Sequence, residues 1–303
     1  MKVGFICSNY YAFPAFRRLL GDPRVEPVFV VGLDESRFAA SGMRPFYYQG
    51  SRFFAYALGH PVESHLTTDL NADAGLLERL EAHGAEYVLA MGWPDILSPA
   101  ALGIARGIVG VHPSRLPEYR GGAPLNWQLL DGARTIGVSS FFLTEQVDAG
   151  NVIVQRSYAV PLGNAATLIE DVYEKAFVEV LDETIERLAA GERGTPLDLE
   201  AGFYRPRRRP EDGRLAFDRD AGALVTFVRA LCFPFPGAFF DHGGRRVVWN
   251  DAALARGRGR PGEVLAVDRD ALVVACASGA VRLSGAVGAG DLRAELAPGD
   301  VLV

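Results

Sequence analysis

Four short apolar runs in the first part of the chain most constrain the fold. They cover residues 3–7, 28–31, 87–91 and 108–111, and each is followed by polar or turn residues. Strands that are apolar at consecutive positions are typical of parallel sheets, in which helices cover both faces. Helical patterns at 13–20 and 74–83 lie between these runs, so the sequence predicts a Rossmann-like α/β domain. The first run lacks a following G-x-G-x-x-G, which argues against an NAD or FAD domain.

The clearest signs of a site lie between residues 108 and 150. An apolar strand ends at His112, and Asp148 follows a second predicted strand in an Asp-Ala-Gly turn. Polar residues at the carboxyl ends of strands commonly form the sites of α/β enzymes. A histidine and a carboxylate that meet there can transfer protons. The sequence has no G-x-S-x-G or H-E-x-x-H motif, and no cysteine has a base nearby, so neither a covalent nucleophile nor a metal is predicted.

The second half of the chain changes character. Thr167 and Glu170 form a capping-box pattern that predicts a helix running to Gly191, with a polar segment after it. Short predicted strands separated by turns then indicate a small, OB-like β-barrel. We therefore predict a catalytic α/β domain at residues 1–195 and a mainly β domain at 204–303. Between them, the four arginines of residues 204–213 fit either contact with an anionic group or a solvated interdomain linker.

Composition limits the partners. The chain has a net charge of −6, which argues against a nucleic-acid surface, and its N-terminus begins a strand instead of a signal peptide. We expect a cytoplasmic protein that does not bind membranes. Aromatic and basic residues between 36 and 60 fit either a surface helix or a flap over an acceptor pocket.

A long motif resembles one family. The sequence His112-Pro-Ser-Arg-Leu-Pro-Glu-Tyr-Arg-Gly-Gly-Ala-Pro-Leu-Asn-Trp127, followed by Val147-Asp-Ala-Gly150, is similar to the folate-dependent formyltransferases. These include the methionyl-tRNA and glycinamide ribonucleotide enzymes and the amino-sugar N-formyltransferases, among which the UDP-4-amino-arabinose enzymes match best. The arginine-rich segment and Pro234-Phe-Pro-Gly-Ala238 resemble the start of that family's C-terminal barrel.

This resemblance implies a function and its residues. A primary amine would attack the formyl carbon of 10-formyltetrahydrofolate directly, and His112 and Asp148 would carry the amine proton away without a metal. The acceptor implied is an amino sugar or related small metabolite, as in natural product biosynthesis. The sugar-type relatives are often homodimers. The donor would contact Met91, Gly92, Trp93, Ile96, Leu97 and Val147. We assign the acceptor to Tyr10, Ser114, Arg120 and Gly121. Gly122 stands where the sugar enzymes often have a second arginine, which counts against a nucleotide-sugar acceptor.

Gly110 departs from the family pattern. The family has an asparagine there, whose side chain donates a hydrogen bond to the formyl oxygen. Losing such a donor typically costs about 10²–10³-fold in rate. Three interpretations follow: another donor (Ser139, Asn126, a backbone amide or charged His112) substitutes; Gly110 makes room for a different one-carbon group such as formimidoyl; or the protein binds folate without turnover. A Gly110→Asn variant should keep or improve formylation under the first interpretation and lose the native activity under the second.

Overall fold

The computed structural model describes residues 1–38, 49–160, 163–288 and 291–302. The chain forms two compact units. The first comprises residues 1–124, 134–161 and 168–207, and the second comprises 125–133, 162–167 and 208–303. The domain boundary between residues 195 and 204 stays a prediction. Part of the aromatic segment at 36–60, residues 39–48, lies outside the described residues; the rest includes a 3₁₀ turn at Glu35–Phe38 and a helix at Gly50–Ala57.

A seven-stranded sheet organises the first unit, in the order β3-β2-β1-β4-β5-β7-β8. Its strands are β1 Lys2–Cys7, β2 Glu26–Leu33, β3 Glu63–Thr67, β4 Tyr87–Met91, β5 Ile108–His112, β7 Thr135–Phe142 and β8 Val152–Ala159. The first five are parallel to one another, and β7 and β8 extend the sheet as an antiparallel pair. The predicted Rossmann-like fold is confirmed, and the two strands on either side of Asp148 belong to the same sheet.

The order of the strands determines where a site can form. From β1, the chain builds outward to β2 and β3, and then returns to place β4 and β5 on the other side of β1. A crevice opens at such a reversal, outside the carboxyl ends of the strands. Asn9 follows β1, Gly92 follows β4 and His112 ends β5. All three therefore lie along the same edge of the sheet.

The helices of the first unit are α1 Phe13–Leu20, α2 Gly50–Ala57, α3 Ala74–Ala82, α4 Pro99–Leu102 and α7 Glu174–Ala189. α5 Pro124–Leu130 and α6 Ala165–Leu168 belong mainly to the second unit, together with α8 Ala221–Leu231. The capping-box prediction was wrong. The helical segment begins at Ala165, two residues earlier than Thr167, whose backbone N–H donates to Oδ1 of Asn164 at 3.1 Å. Asparagine is as good a cap as threonine, so the earlier residue takes this position.

A five-stranded antiparallel sheet and α8 form the core of the second unit, which confirms the predicted small β domain. The strands are β10 Ala238–His242, β11 Arg245–Ala255, β12 Val264–Val267, β13 Leu272–Ala275 and β14 Ala280–Val287, in the order β10-β11-β14-β13-β12. Trp249 is completely buried at the centre, beside Phe240.

A small ladder lies apart from both sheets. Arg120–Gly121 (β6) pairs in parallel with Tyr204–Arg205 (β9), which joins two distant parts of the first unit. Among the described residues, no helix has the length and apolar character needed to cross a bilayer.

Candidate active site

His112 and Asp148 meet at the carboxyl end of β5. Nδ1 of His112 lies 3.5 Å from Oδ2 of Asp148, and the two side chains are 9% and 15% exposed. Asp148 adopts a left-handed backbone conformation with φ of 49°. This region of backbone space disfavours most L-residues but is tolerated by aspartate. The local turn therefore aims the carboxylate back towards the strand end.

The second ring nitrogen of His112 determines the tautomer. Nε2 lies 2.9 Å from the carbonyl oxygen of Tyr119. A carbonyl oxygen can only accept a hydrogen bond, so we assign a hydrogen to Nε2. In the neutral ring, Nδ1 is then the atom that takes up a proton, and it is also the atom that faces Asp148.

The loop that follows β5 holds the carboxylate as well. The backbone N–H of Gly121 donates to Oδ2 of Asp148 at 2.8 Å. Three nearby residues have left-handed φ angles, namely Tyr119 at 54°, Gly121 at 98° and Ala123 at 54°. Unusual backbone of this kind persists only where surrounding contacts enforce it. One loop therefore contacts both members of the His112–Asp148 pair.

Family models and a sequence relative identify the family of this chain. The formyl transferase model matches residues 49–185, and the model of the formyl transferase C-terminal domain matches residues 208–290. The methionyl-tRNA formyltransferase of Citrifermentans bemidjiense is 30% identical over the whole chain and 96% of its own length. This chain belongs to the formyltransferase family.

Solved structures resemble this formyltransferase in fold. The sugar 3N-formyl transferase WlaRD, crystallised with dTDP and 5-N-formyl-THF, superposes with a TM-score of 0.64 at 14% identity, over 95% of this chain and 98% of its own. HypX from Aquifex aeolicus in complex with tetrahydrofolic acid gives 0.66 at 20% identity over 97% of this chain. The formyltransferase spans 46% of the length of HypX.

Gly110 of this formyltransferase does not leave an open space. A Cβ atom on Gly110 would lie 2.7 Å from Cδ2 of Leu143 and 3.3 Å from Cε1 of Phe141. Phe141 is the register partner of Gly110 on β7, and its ring also contacts the His112 ring edge-on, with centroids 6.4 Å apart. Hydrocarbon thus lies against this side of β5, and the interpretation that Gly110 makes room for a larger transferred group stays a prediction.

Two of the suggested substitute donors are used elsewhere. The Ser139 hydroxyl donates to the carbonyl of Ser114 at 2.7 Å and accepts from Leu116 N and Gln155 Nε2 at 3.2 and 3.0 Å. That saturates a hydroxyl group. Asn126 Nδ2 donates to the Ala230 carbonyl at 2.7 Å. Ser139 therefore does not replace the missing asparagine, and one N–H of Asn126 is used by Ala230.

The predicted donor-binding residues divide into buried and accessible groups. Met91 and Leu97 are 0% and 3% exposed, so their side chains belong to the core. Gly92, with φ of 72°, lies against the side chain of Asn9, whose Nδ2 would be 2.0 Å from a Cβ atom. Ile96 is 59% exposed, and Trp93 and Val147 are half-buried.

Two buried polar atoms beside Gly92 lack partners among the described residues. They are Nε1 of Trp93 and Oδ1 of Asn9. Unpaired buried polar atoms are rare and costly, so each calls for a partner such as a water, an ion or a ligand. The sequence analysis did not single out Asn9, which lies two residues after the end of β1. A polar residue at the end of the strand next to β4 was the available signal.

The residues assigned to the acceptor have different environments. Tyr10 is half-buried in a 3₁₀ turn after β1. Ser114 is completely buried, and its hydroxyl donates to the Glu118 carbonyl at 2.6 Å, so it supports the loop instead of facing an acceptor. Arg120 Nη2 reaches the Leu199 carbonyl at 3.4 Å, and Nε of Arg120 is buried without a partner among the described residues. Gly121 contributes its N–H to Asp148.

Cys7 stands near the same edge of the sheet but is not a reactive thiol. It is completely buried at the end of β1, and burial raises the pKa of its thiol well above the usual value. A protonated thiol is a poor nucleophile. Among the described residues, no group of three His, Cys, Asp or Glu side chains is arranged to hold a metal ion.

Proposed function

We propose that this formyltransferase moves a formyl group from 10-formyltetrahydrofolate to a primary amine of an amino sugar or a related small metabolite. One observation carries the proposal. His112 and Asp148 lie 3.5 Å apart at the carboxyl end of β5, inside the residues that the family model matches. A proton-accepting ring beside a carboxylate is what amine acylation needs, because the attacking amine must lose a proton.

Residues beside Gly92 fit the folate donor. Trp93 Nε1 can donate a hydrogen bond and Asn9 Oδ1 can accept one, and both atoms are buried and unpaired among the described residues. A reduced pterin carries both donor and acceptor atoms on its ring. When bound, 10-formyltetrahydrofolate supplies the formyl carbon that the amine nitrogen attacks. The folate-type ligands named for WlaRD and HypX support this choice.

His112 and Asp148 have separate tasks in this proposal. The Tyr119 carbonyl keeps a hydrogen on Nε2, so Nδ1 takes the proton that the amine releases. Asp148 stabilises the positive charge that the ring then carries. Because the surroundings of Gly110 are apolar, no side chain at that position stabilises the developing negative charge on the formyl oxygen.

A charged tRNA is the second candidate acceptor. The Citrifermentans relative, 30% identical over the whole chain, is named a methionyl-tRNA formyltransferase. Its acceptor would also be a primary amine, so the same proton transfer would serve. The net charge of −6 counts against a large polyanionic partner, because phosphate binding relies on an excess of Lys and Arg.

One experiment tests the proposal. Purified protein is incubated with 10-formyltetrahydrofolate and a panel of amino-sugar nucleotides, small amines and methionyl-tRNA, while tetrahydrofolate release and product mass are followed. We expect one small amine to gain a formyl unit, and His112→Ala to abolish the gain. Transfer to the tRNA alone would establish the second candidate. A product carrying a formimidoyl group, or folate binding without turnover, would overturn both.

A further inference from the structure

Residues 199–207, which we call the strap, run alongside the loop that contacts His112. That loop, residues 117–122, is called the Tyr119 loop. Arg120 N donates to the Phe203 carbonyl at 3.1 Å, and Gly122 N donates to the Arg205 carbonyl at 3.1 Å. These two hydrogen bonds form the parallel β6–β9 ladder. The strap therefore pairs with the loop through backbone atoms.

The strap and the Tyr119 loop are also in close contact through side chains and at two glycines. The rings of Tyr119 and Phe203 contact edge-on, with centroids 4.7 Å apart. A Cβ atom on Gly202 would lie 2.3 Å from the Pro117 carbonyl oxygen, and one on Gly121 would lie 2.4 Å from the Tyr204 ring. No side chain larger than hydrogen fits at either glycine while this contact is kept.

The ladder determines the direction of the functional hydrogen bonds. Along a strand, the N–H groups of alternate residues point to the same side, as those of Arg120 and Gly122 do. Arg120 and Gly122 direct their N–H groups to the strap, and Gly121, between them, directs its N–H to Asp148 at 2.8 Å. Tyr119, one residue earlier, presents its carbonyl to Nε2 of His112 from a left-handed conformation. A shift of the loop along the strap would disturb both contacts.

We propose that the strap residues Gly202 and Phe203 are positioning residues for the reaction. They act through the Tyr119 loop, by holding the Tyr119 carbonyl on Nε2 of His112 and the Gly121 amide on Asp148. The strap thereby maintains the tautomer in which Nδ1 accepts the proton. This role deepens the proposed function and assigns the segment after α7 a task at the site.

Gly202→Ala tests this role by inserting a methyl group between strap and loop. We expect kcat to fall by roughly 10- to 100-fold with KM for both substrates unchanged, because a displacement of about 1 Å in a reacting group costs this much. The ¹⁵N spectrum of histidine-labelled protein, with His112 assigned through His112→Gln, should show the hydrogen on Nε2 in the wild type and a mixture of tautomers in Gly202→Ala. Gly75→Ala is the matched control, since Gly75 is exposed on α3 and its nearest neighbour to a Cβ atom is 4.0 Å away.

A second pair of variants covers the case in which Gly202→Ala does not fold. Phe203→Ala should reproduce the loss of kcat and the mixed tautomer, and Phe203→Tyr, which keeps a ring against Tyr119, should restore both. An unchanged His112 spectrum in the variants would overturn the proposal, whatever their rates. A wild type with an Nε2 hydrogen but no formyl transfer would contradict the proposed function and not the strap, because the spectrum needs no acceptor.

Discussion

Gly110 and Phe141 are register partners across β5 and β7, and the ring of Phe141 lies 3.3 Å from the place of a Cβ atom on Gly110. With Leu143, it makes this part of the site apolar and packs against the edge of His112. An asparagine side chain at position 110 would therefore meet these two neighbours. A test of asparagine at position 110 therefore has to change the facing residues as well.

We predict that Gly110→Asn alone destabilises the protein and lowers activity. Its Cβ atom would lie 2.7 Å from Leu143 Cδ2, and overpacking of a core costs about 1–3 kcal/mol. Adding Leu143→Ala removes that contact, so the double variant should recover stability and formylate at least as fast as Leu143→Ala alone. Denaturant unfolding and formylation rates of both single variants and the double variant measure the coupling. Additive effects, with no recovery in the double variant, would contradict the packing argument.

Asp148→Asn should keep the fold but lower kcat for formyl transfer. Asparagine also tolerates the left-handed conformation at φ of 49° and can still accept from Gly121 N, but it has no charge to stabilise the protonated His112 ring. General acid–base groups contribute about 10²–10⁴-fold, so kcat should fall within that range. Stopped-flow or single-turnover rates at saturating substrates measure it. A variant with wild-type kcat would remove Asp148 from the mechanism.

Trp93→Phe should weaken folate binding while the fold is retained. The substitution keeps the packed ring and deletes the unpaired Nε1–H. Loss of one hydrogen bond of about 1 kcal/mol corresponds to a roughly fivefold rise in Kd, measured by titration calorimetry with tetrahydrofolate. Trp249→Phe is the matched control, because Trp249 Nε1 is also buried without a partner among the described residues but lies in the core of the second unit. Equal effects of the two variants would show that Trp93 does not contact the ligand.

The sequence revealed the buried strands because their apolar runs do not depend on what packs against them. Tyr87–Met91 and the site-bearing strand that ends at His112 were both predicted. The edge strand Glu63–Thr67 was missed, since it is largely polar and only one of its residues is buried. An edge strand is recognised by its partner, which local composition does not show.

Part of the candidate site was predictable because it lies directly after strands that the sequence reveals. His112 and Asp148 each follow a strand, so topology brings them together, and their roles stay predictions until variants are measured. The Tyr119 carbonyl contributes through a backbone atom, which any residue type could supply. The Phe203 ring contacts Tyr119 from a segment about 80 residues further along the chain. No local pattern indicates such pairs. The two-residue ladder β6–β9 is likewise defined only by its tertiary partner.

Acid should destabilise the first unit through Asp22. The hydrogen bond from Arg24 lowers the pKa of Asp22 from 3.8 to about 2, with the charges of Arg24 and Arg18 adding to the effect. A carboxylate whose pKa is lower in the folded state than in the unfolded state stabilises the fold above the unfolded value. This stabilisation is therefore complete above about pH 4 and disappears as the pH falls towards 2. Asp182, which pairs with Arg24 and Arg18, has a lowered pKa for the same reason.

Urea unfolding at a series of pH values would measure this contribution. The wild type should lose stability steeply between pH 4 and pH 2, and Asp22→Asn should be less stable at pH 7 but lose less over that interval. Partial solvent screening limits the difference to about 1–2 kcal/mol. Asp171→Asn, an exposed substitution in the same unit, should follow the wild-type profile. Parallel curves for wild type and Asp22→Asn would show that Asp22 titrates alike in the folded and unfolded chains, contrary to its contact with Arg24.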